Sequence, residues 1–278
     1  MRIGTNTAAM NTYSNLKSAN ASKAGSLAKL SSGLRINKAG DDAAGLAISE
    51  KMKNQVSGLT QATRNAQDGI SLIQTAEGGL SETHSILNRM RDLSVQAAND
   101  TNSTADRTAI QTEITSLTDE VNRISTDTKF NGRTLLKTDA TVGADAVNIQ
   151  IGANAGDAAL TLDLSKGFDA TTLGIDNTKV IVTSAETAKT SITAIDTAIQ
   201  TVSDARSTFG AKQNRLDHTI NNLSTTKENL SEANSRITDV DMAEEMTAFT
   251  KSNILAQAAT SMLAQANQMP QSVLSLLQ

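Results

Sequence analysis

Candidates for catalysis or metal binding are sparse in this sequence. The only two histidines, His84 and His218, lie outside any H-E-x-x-H pattern, and cysteine is absent. The acidic residues that follow Asp239 could suggest a calcium loop, but its twelfth position is Thr250, where an EF-hand requires glutamate. P-loop and dinucleotide fingerprints are also absent. The sequence therefore predicts no enzyme, cofactor or metal site, and we interpret the acidic residues as the start of a helix.

A second polar constellation lies in "SSGLRINKAGDDAAGLAIS", from Ser31 to Ser49. The carboxylates of Asp41 and Asp42 can accept hydrogen bonds from the free N–H groups of a following helix and complement its dipole. We predict that Arg35, Asp41 and Asp42 form a cap at a helix junction. Local turn chemistry alone would explain these residues, and so would contact of the junction with a neighbouring subunit.

The composition suits helices that pack closely on one another. Aromatic residues make up 2% of the chain, there is a single proline, and the net charge is −4. This charge argues against a dedicated nucleic-acid partner. No run of 18 apolar residues is present, so we predict no membrane span. The first residues contain no apolar signal-peptide core, so export would need another route.

Apolar residues at alternating spacings of three and four predict long helices. One helix is expected from Ala188 onward through about seven heptads, and another from Asp42 to Asn99. Ser103 with Asp106 predicts a capping box for a third helix. The predicted fold class is mainly α: a long antiparallel coiled-coil-like bundle, or rod, with a small β-hairpin region and terminal helices that pair as an inner coiled coil.

The periodicity changes between about residues 130 and 182. Asn131-Gly132 is a tight-turn signal. Alternating apolar residues predict short strands, and a further strand is expected at residues 180–182. The alternating residues are Val147, Ile149 and Ile151, and then Leu160, Leu162 and Leu164.

The two chain ends differ from the middle in charge. The first 34 residues contain four cations and no acid, and residues 252–278 carry no charged side chain. A membrane-spanning helix is disfavoured there by the many Asn and Gln residues. An interfacial helix is disfavoured by the lack of cations. The remaining interpretation is a helix buried against protein, where amides can pair and charges would be costly.

Several stretches resemble bacterial flagellins, in the same order along the chain. They are "MRIGTNTAAMNTYSNL", "LSSGLRINKAGDDAAGLAIS", "NAQDGISLIQTAEGGLSETHSILNRMRDLSVQAAN", "TKFNGRTLL", "FGAKQNRLDHTINNL", "ENLSEANSRITDVDMAEE" and "SMLAQANQMPQSVLSLLQ". The resemblance covers about 130 residues at the front and about 75 at the back. Only about 55 residues separate Phe130 from Ala185, so the chain resembles a short flagellin without variable outer domains.

The resemblance implies a filament subunit for swimming motility, located outside the cell. Residues 1–40 and 239–278 would be the inner-core segments, and residues 41–238 the bundle. It also implies export through the flagellar type III channel, an export chaperone on the C-terminal segment, and filament-cap and hook-associated partners. The residues expected to make inner-core assembly contacts are Tyr13, Leu16, Leu27, Leu30, Leu255, Met262, Met269, Val273 and Leu276.

The segment "LNRMRDLSVQ" resembles the part of flagellin that Toll-like receptor 5 recognises. The matching positions are Arg89, Leu93 and Gln96, with Glu113 on the adjacent helix. For the evolved role of these residues we favour contact with the next subunit along a protofilament, and receptor recognition would then exploit a face that assembly requires.

Two other functions remain as alternatives to a filament subunit. A hook–filament junction protein shares the terminal helices, and it would be present in about one ring of copies. A secreted coiled-coil adhesin or a type III effector would not polymerise when seeded.

Overall fold

The structure is a computed structural model that describes residues 5–137, 146–157, 159–163 and 166–276, with side chains as far as Met269. It confirms a mainly α-helical fold with a small β region. The helices within these residues are α1 (Thr7–Ser32), α2 (Ala43–Ala97), α3 (Thr104–Asp127), α4 (Ala170–Leu173), α5 (Ala185–Thr238) and α6 (Met242–Leu276). The strands are β1 (Lys129–Phe130), β2 (Arg133–Thr134), β3 (Ala146–Gln150) and β4 (Ala159–Asp163).

The chain divides into two compact units. The terminal unit comprises Met1–Val56 and Glu228–Gln278, and the central unit comprises Ser57–Lys227. Both boundaries fall inside long helices, so α2 and α5 each contribute residues to both units. The divisions expected at residues 40 and 238 instead fall in the connections that precede α2 and α6.

Helices α2 and α5 run antiparallel in the central unit. Arg206 Nε donates to Glu77 Oε1 at 2.8 Å, and Arg91 Nε donates to Asp196 Oδ1 at 2.6 Å. The later residue of α2 thus meets the earlier residue of α5. The first pair explains why the apolar spacing of α5 is interrupted by an arginine.

Helix α3 packs with these two helices because its apolar positions face inward. It begins with the predicted capping box: the Ser103 hydroxyl accepts from the Asp106 N–H, and the Asp106 carboxylate accepts from the Ser103 N–H. The largest fully buried side chains of the shared core are Ile73, Leu80, Leu87, Met90, Ile114, Val121, Leu135, Leu136, Leu162, Ile175, Ile195 and Leu216.

Two hairpins form the small β region. Strands β1 and β2 are joined by Asn131 and Gly132, whose φ angles of 50° and 80° are those of the tight turn that favours this dipeptide. Strands β3 and β4 pair antiparallel, with Ile149 opposite Leu160. Leu160 and Leu162 point into the core, as their alternation predicts. Leu164 lies outside the described residues.

The prediction of a strand at residues 180–182 is wrong. The backbone groups of this segment are paired with side chains instead of a neighbouring strand. Gln111 donates from Nε2 to the Val180 carbonyl at 3.2 Å and accepts at Oε1 from the Val182 N–H at 2.8 Å. Ser191 accepts from the Ile181 N–H at 3.0 Å. Gln111 and Ser191 therefore satisfy this segment together with the Asp176 carbonyl, which accepts from the Val180 N–H.

Helix α2 approaches the segment around the first hairpin closely at one glycine. A Cβ atom at Gly79 would lie 2.7 Å from Leu136 Cδ1 and 2.8 Å from Thr128 Oγ1. A Cβ atom at the adjacent Gly78 would meet nothing within 4 Å. A side chain at position 79 would therefore clash with its neighbours, whereas a side chain at position 78 would not.

We predict opposite effects of alanine at these two positions. Gly78→Ala should raise the free energy of unfolding by about 0.5–1 kcal/mol, because it removes helix-disfavouring backbone freedom. Gly79→Ala should lower it by about 1–3 kcal/mol, because the buried neighbours must move. Urea unfolding followed by circular dichroism measures both values, and equal stabilisation of the two variants would contradict the close approach.

Candidate functional site: the paired terminal helices

Helices α1 and α6 pack antiparallel through small side chains. The residues buried between them are Ala19 and Ser26 on α1, and Ser252, Ala256 and Ala266 on α6. Small residues let two helix backbones approach closely, but they bury little apolar surface. The seam between these helices therefore contributes little hydrophobic stabilisation for its length.

Polar contacts fix how the two helices align. Asn6 Nδ2 donates to the Ala266 carbonyl at 2.8 Å, and Lys23 Nζ donates to Asn253 Oδ1 at 2.9 Å. Lys29 lies 3.8 Å from the Glu245 carboxylate. Two of the lysines of the N-terminal segment thus serve as links to α6.

Nine large apolar side chains of this pair are exposed. We call them the outer apolar face, which comprises Met10, Tyr13, Leu27, Met242, Met246, Ile254, Leu255, Met262 and Met269, all exposed. Part of the face is a groove of about 520 Å³ lined by Met246, Thr247, Thr250, Lys251, Ile254 and Leu255. Exposed apolar patches of this kind mark interaction surfaces.

The residues expected to make assembly contacts fall into three groups. Five of them lie on the outer apolar face: Tyr13, Leu27, Leu255, Met262 and Met269. Leu16 and Leu30 are half-buried. Val273 and Leu276 belong to α6, but their side chains lie outside the described residues.

Met10, Met242, Met246 and Ile254 also lie on the outer apolar face, although the spacing of apolar residues does not single them out. The signal that identifies the true seam is a heptad of small residues. Ala19 and Ser26 are seven residues apart, as are Ala259 and Ala266.

The junction between α1 and α2 is tied to the end of α5. The Arg35 N–H donates to the Thr238 carbonyl at 2.6 Å, and Arg35 Nη2 donates to the Ile237 carbonyl at 2.6 Å. These carbonyls belong to the last turn of α5, where they lack helical partners. Gly33, at φ 71°, ends α1 in the left-handed region, and its carbonyl accepts from the Val240 N–H.

The two neighbouring aspartates at this junction have different roles. Asp42 Oδ1 accepts from the Gly45 N–H at 2.8 Å and so caps α2. Asp41 Oδ2 accepts from the N–H groups of Lys38 at 2.8 Å and Asn37 at 3.0 Å, and so closes the preceding loop. These two backbone hydrogen bonds, the one from Lys38 first, lower the pKa of Asp41.

A salt bridge organises the segment around Arg89. Arg89 Nη2 lies 2.7 Å from Glu113 Oε1, and its Nε donates to the same oxygen at 3.0 Å. Both side chains are exposed, as is Gln96, whereas Leu93 is buried in the central unit. Arg89, Glu113 and Gln96 can therefore contact a partner directly, while Leu93 packs in the core of the central unit.

The acidic residues after Thr238 act within the helix ends. Asp239 accepts from the hydroxyls of Ser235 and Thr238, and Asp241 accepts from the N–H groups of Ala243 and Glu244 at the start of α6. Over the described part of the chain, no three acidic or histidine side chains are grouped so as to hold a metal ion. In that same part, no helix is long and apolar enough to cross a membrane.

Comparison with known families gives two matches. A model described as the bacterial flagellin N-terminal helical region matches residues 3–141, and one described as the bacterial flagellin C-terminal helical region matches residues 192–277. The chain belongs to the bacterial flagellin family. Flagellins are structural proteins and not enzymes.

Similar flagellins cover the whole chain. The flagellins of Bacillus subtilis and Halalkalibacterium halodurans are each 52% identical to it over 100% of both chains. The flagellar filament 33 kDa core protein of Treponema phagedenis is 44% identical, again over 100% of both. The crystal structure of Bacillus cereus flagellin is 40% identical over 58% of this chain and 88% of that one, with a TM-score of 0.51.

We predict that the Asp41 carboxyl titrates below the ordinary aspartate range. A lowered pKa in the folded state means that this carboxylate stabilises the junction above its unfolded pKa. That contribution is lost as the pH falls through the lower folded value. Carbon-detected NMR of the side chain should show the low midpoint, and the amide resonances of Asn37 and Lys38 should move with it. In Asp41→Asn that amide transition should vanish, and a midpoint at or above the ordinary value would contradict the geometry.

Proposed function

We propose that this chain is the structural subunit of a flagellar filament and that it assembles by burying the outer apolar face of α1 and α6 against further copies. The observation that carries the proposal is the packing of these helices, in which the most buried residues are small and nine large apolar side chains stay exposed. A monomer gains nothing from presenting nine large apolar side chains to water.

The size of the outer apolar face favours contact with several neighbours. Full burial of one large apolar side chain contributes about 1.5–3 kcal/mol, and these side chains are about half exposed. The nine together can contribute on the order of 10 kcal/mol, which is similar to the ~4–15 kcal/mol cost of bringing two proteins together. A single neighbour would thus give marginal binding, and neighbours on several sides would give a stable polymer.

The arrangement suits a helical polymer. A heterologous contact between copies that does not close into a ring generates a helical filament, which is the polymer that we propose. In this proposal residues 1–40 and 239–278 form the inner core, and residues 41–238 form the surrounding bundle. The outer face supplies the core contacts, together with Leu16, Leu30, Val273 and Leu276.

The family also suggests partners outside the polymer. We include in the proposal export through the flagellar type III channel, a cytosolic chaperone on the C-terminal segment, and filament-cap and hook-associated proteins at the filament ends. The exposed groove on α6 supports the chaperone assignment, because it offers apolar side chains before assembly covers them. Loss of chaperone binding in the double variant Ile254→Ser with Leu255→Ser is the expected result, because both side chains line the groove, and unchanged binding would refute this part.

The 52% identity to flagellins over the full chain favours a filament subunit over a hook–filament junction protein and over a secreted adhesin or effector. The chain resembles the structure of a putative flagellar hook-associated protein from Vibrio parahaemolyticus, with a TM-score of 0.56 and 19% identity over 72% of this chain. At that identity the likeness concerns the fold alone. Seeded growth into long filaments separates the filament subunit from both alternatives.

Substitutions on the outer apolar face test the proposal. The double variant Ile254→Ser with Leu255→Ser should stay folded, because both side chains are exposed, and should fail to extend filament seeds, because the docking contact is lost. Gln257→Ser, an exposed polar change on the same helix, is the matched control and should polymerise. Light scattering measures extension, and urea unfolding of the monomer verifies the fold.

A deletion gives an independent test of the same surface. A chain without residues 260–278 should be a soluble, helical protein that does not polymerise. Normal filaments from this deletion, or from the double serine variant, would contradict the proposal.

Receptor recognition is proposed for the face that carries Arg89, Glu113 and Gln96. Arg89→Ala should reduce Toll-like receptor 5 signalling by the monomer about tenfold, because it removes an exposed charge and leaves Glu113 unpaired. Glu82→Ala, also exposed on α2, is the control. Reporter cells measure the response, and equal signalling by both variants would contradict the assignment.

A further inference from the structure

Methionine is concentrated on the outer apolar face. Five of the seven methionines in the described residues lie there, and each is between 44% and 63% exposed. The other two lie on α2, where Met52 is half-buried and Met90 is fully buried. The five exposed residues are Met10, Met242, Met246, Met262 and Met269.

We infer that these five thioethers are a modification site, and that their oxidation to sulfoxides by a peroxide blocks docking of the free chain onto another copy. The inference rests on the proposed function, since it requires that the outer apolar face is the docking surface. It adds a chemical control that acts on the subunit before assembly and not on the finished polymer.

The composition makes these thioethers the principal target of a two-electron oxidant. The chain contains no cysteine and no tryptophan. Among the remaining side chains, methionine is the one that peroxides convert readily and that reductases restore. Accessibility then selects the exposed methionines over Met90.

The reaction transfers one oxygen atom and needs only the peroxide. The sulfur lone pair attacks one oxygen of hydrogen peroxide, the O–O bond breaks, and an S–O bond forms. The sulfur is oxidised by two electrons, the peroxide is reduced by two, and after proton transfer the leaving oxygen departs as water. The product is a polar, chiral side chain in place of a flexible apolar one.

The consequence for docking follows from where the sulfurs lie. In the free chain the sulfoxide oxygen is solvated by water, so the oxidised monomer is not penalised. On docking that oxygen must leave water, and a buried polar group without a partner opposes association. The buried residues between α1 and α6 are alanines and serines, so the helix pair itself should survive oxidation.

The experiment treats the full-length monomer with hydrogen peroxide and maps sulfoxides by peptide mass spectrometry. The five exposed methionines should oxidise first, with Met90 unmodified. Circular dichroism and the urea midpoint should not change. The critical concentration for extension of filament seeds should rise at least about tenfold, which corresponds to about 1.4 kcal/mol. Methionine sulfoxide reductases should restore the original critical concentration.

Two comparisons sharpen the result. In assembled filaments the same five methionines should oxidise more slowly than in the monomer, because another copy covers them. In the variant with Met10→Leu, Met242→Leu, Met246→Leu, Met262→Leu and Met269→Leu, peroxide should leave the critical concentration at its untreated value.

Three outcomes would overturn the inference. Oxidised monomer that extends seeds at the untreated concentration would refute it while leaving the proposed function intact. If reductase treatment did not restore the original critical concentration, the effect of peroxide would come from a change other than methionine sulfoxide, and the inference would also be refuted. Untreated chain that never extends seeds would refute the proposed function together with this inference.

Discussion

The pairing of α1 with α6 through small side chains is the constraint from which the rest of the account follows. Because Ala19, Ser26, Ser252, Ala256 and Ala266 occupy the most buried positions of the seam, the nine residues of the outer apolar face are left exposed, whereas Leu16 and Leu30 are half-buried. A sequence with large residues in the seam would make a more stable pair and a less adhesive surface. In this chain the polar contacts of Asn6, Lys23 and Lys29 align the two helices, and the outer apolar face remains exposed for a partner.

The central unit follows the usual rule, with large residues inside. Its core contains leucine, isoleucine and valine from three helices and both hairpins, and its surface ion pairs are exposed and so contribute little. The contrast between the units is physical. The central unit buries its large apolar residues in one core, whereas the terminal unit leaves the nine side chains of the outer apolar face exposed. The Arg35 contacts with the end of α5 hold the chain entry of α2 beside the exit of α5 within the terminal unit.

Much of the fold could be predicted from the sequence because its signals are local. The Ser103 capping box, the Asn131-Gly132 turn and the alternation of Leu160 and Leu162 each act over a few residues, and each is present as expected. The strand at residues 180–182 failed because Gln111, about 70 residues away in the chain, satisfies its backbone. Hydrogen bonds from a distant side chain to the backbone leave no periodic pattern in the sequence.

The candidate site was harder to predict than the fold. Spacing identifies which residues share a helix face, but it does not say whether that face meets the same chain or another one. Tyr13, Leu255 and Met262 are predicted from spacing to make assembly contacts, but spacing does not reveal that they are exposed while Ala19 and Ala256 are buried. Asp41 and Asp42 are equivalent in the sequence, and only the loop geometry separates their roles.

Hydrogen exchange of the backbone amides of α1 and α6, compared between free monomer and assembled filament, tests the central claim most directly. The account predicts fast exchange of residues 7–32 and 242–269 in the monomer, because the small seam buries little, and strong slowing in the filament, with far smaller changes in the central unit. Equal protection of these helices in the two states would contradict it, since the outer apolar face would then gain no cover from neighbouring copies.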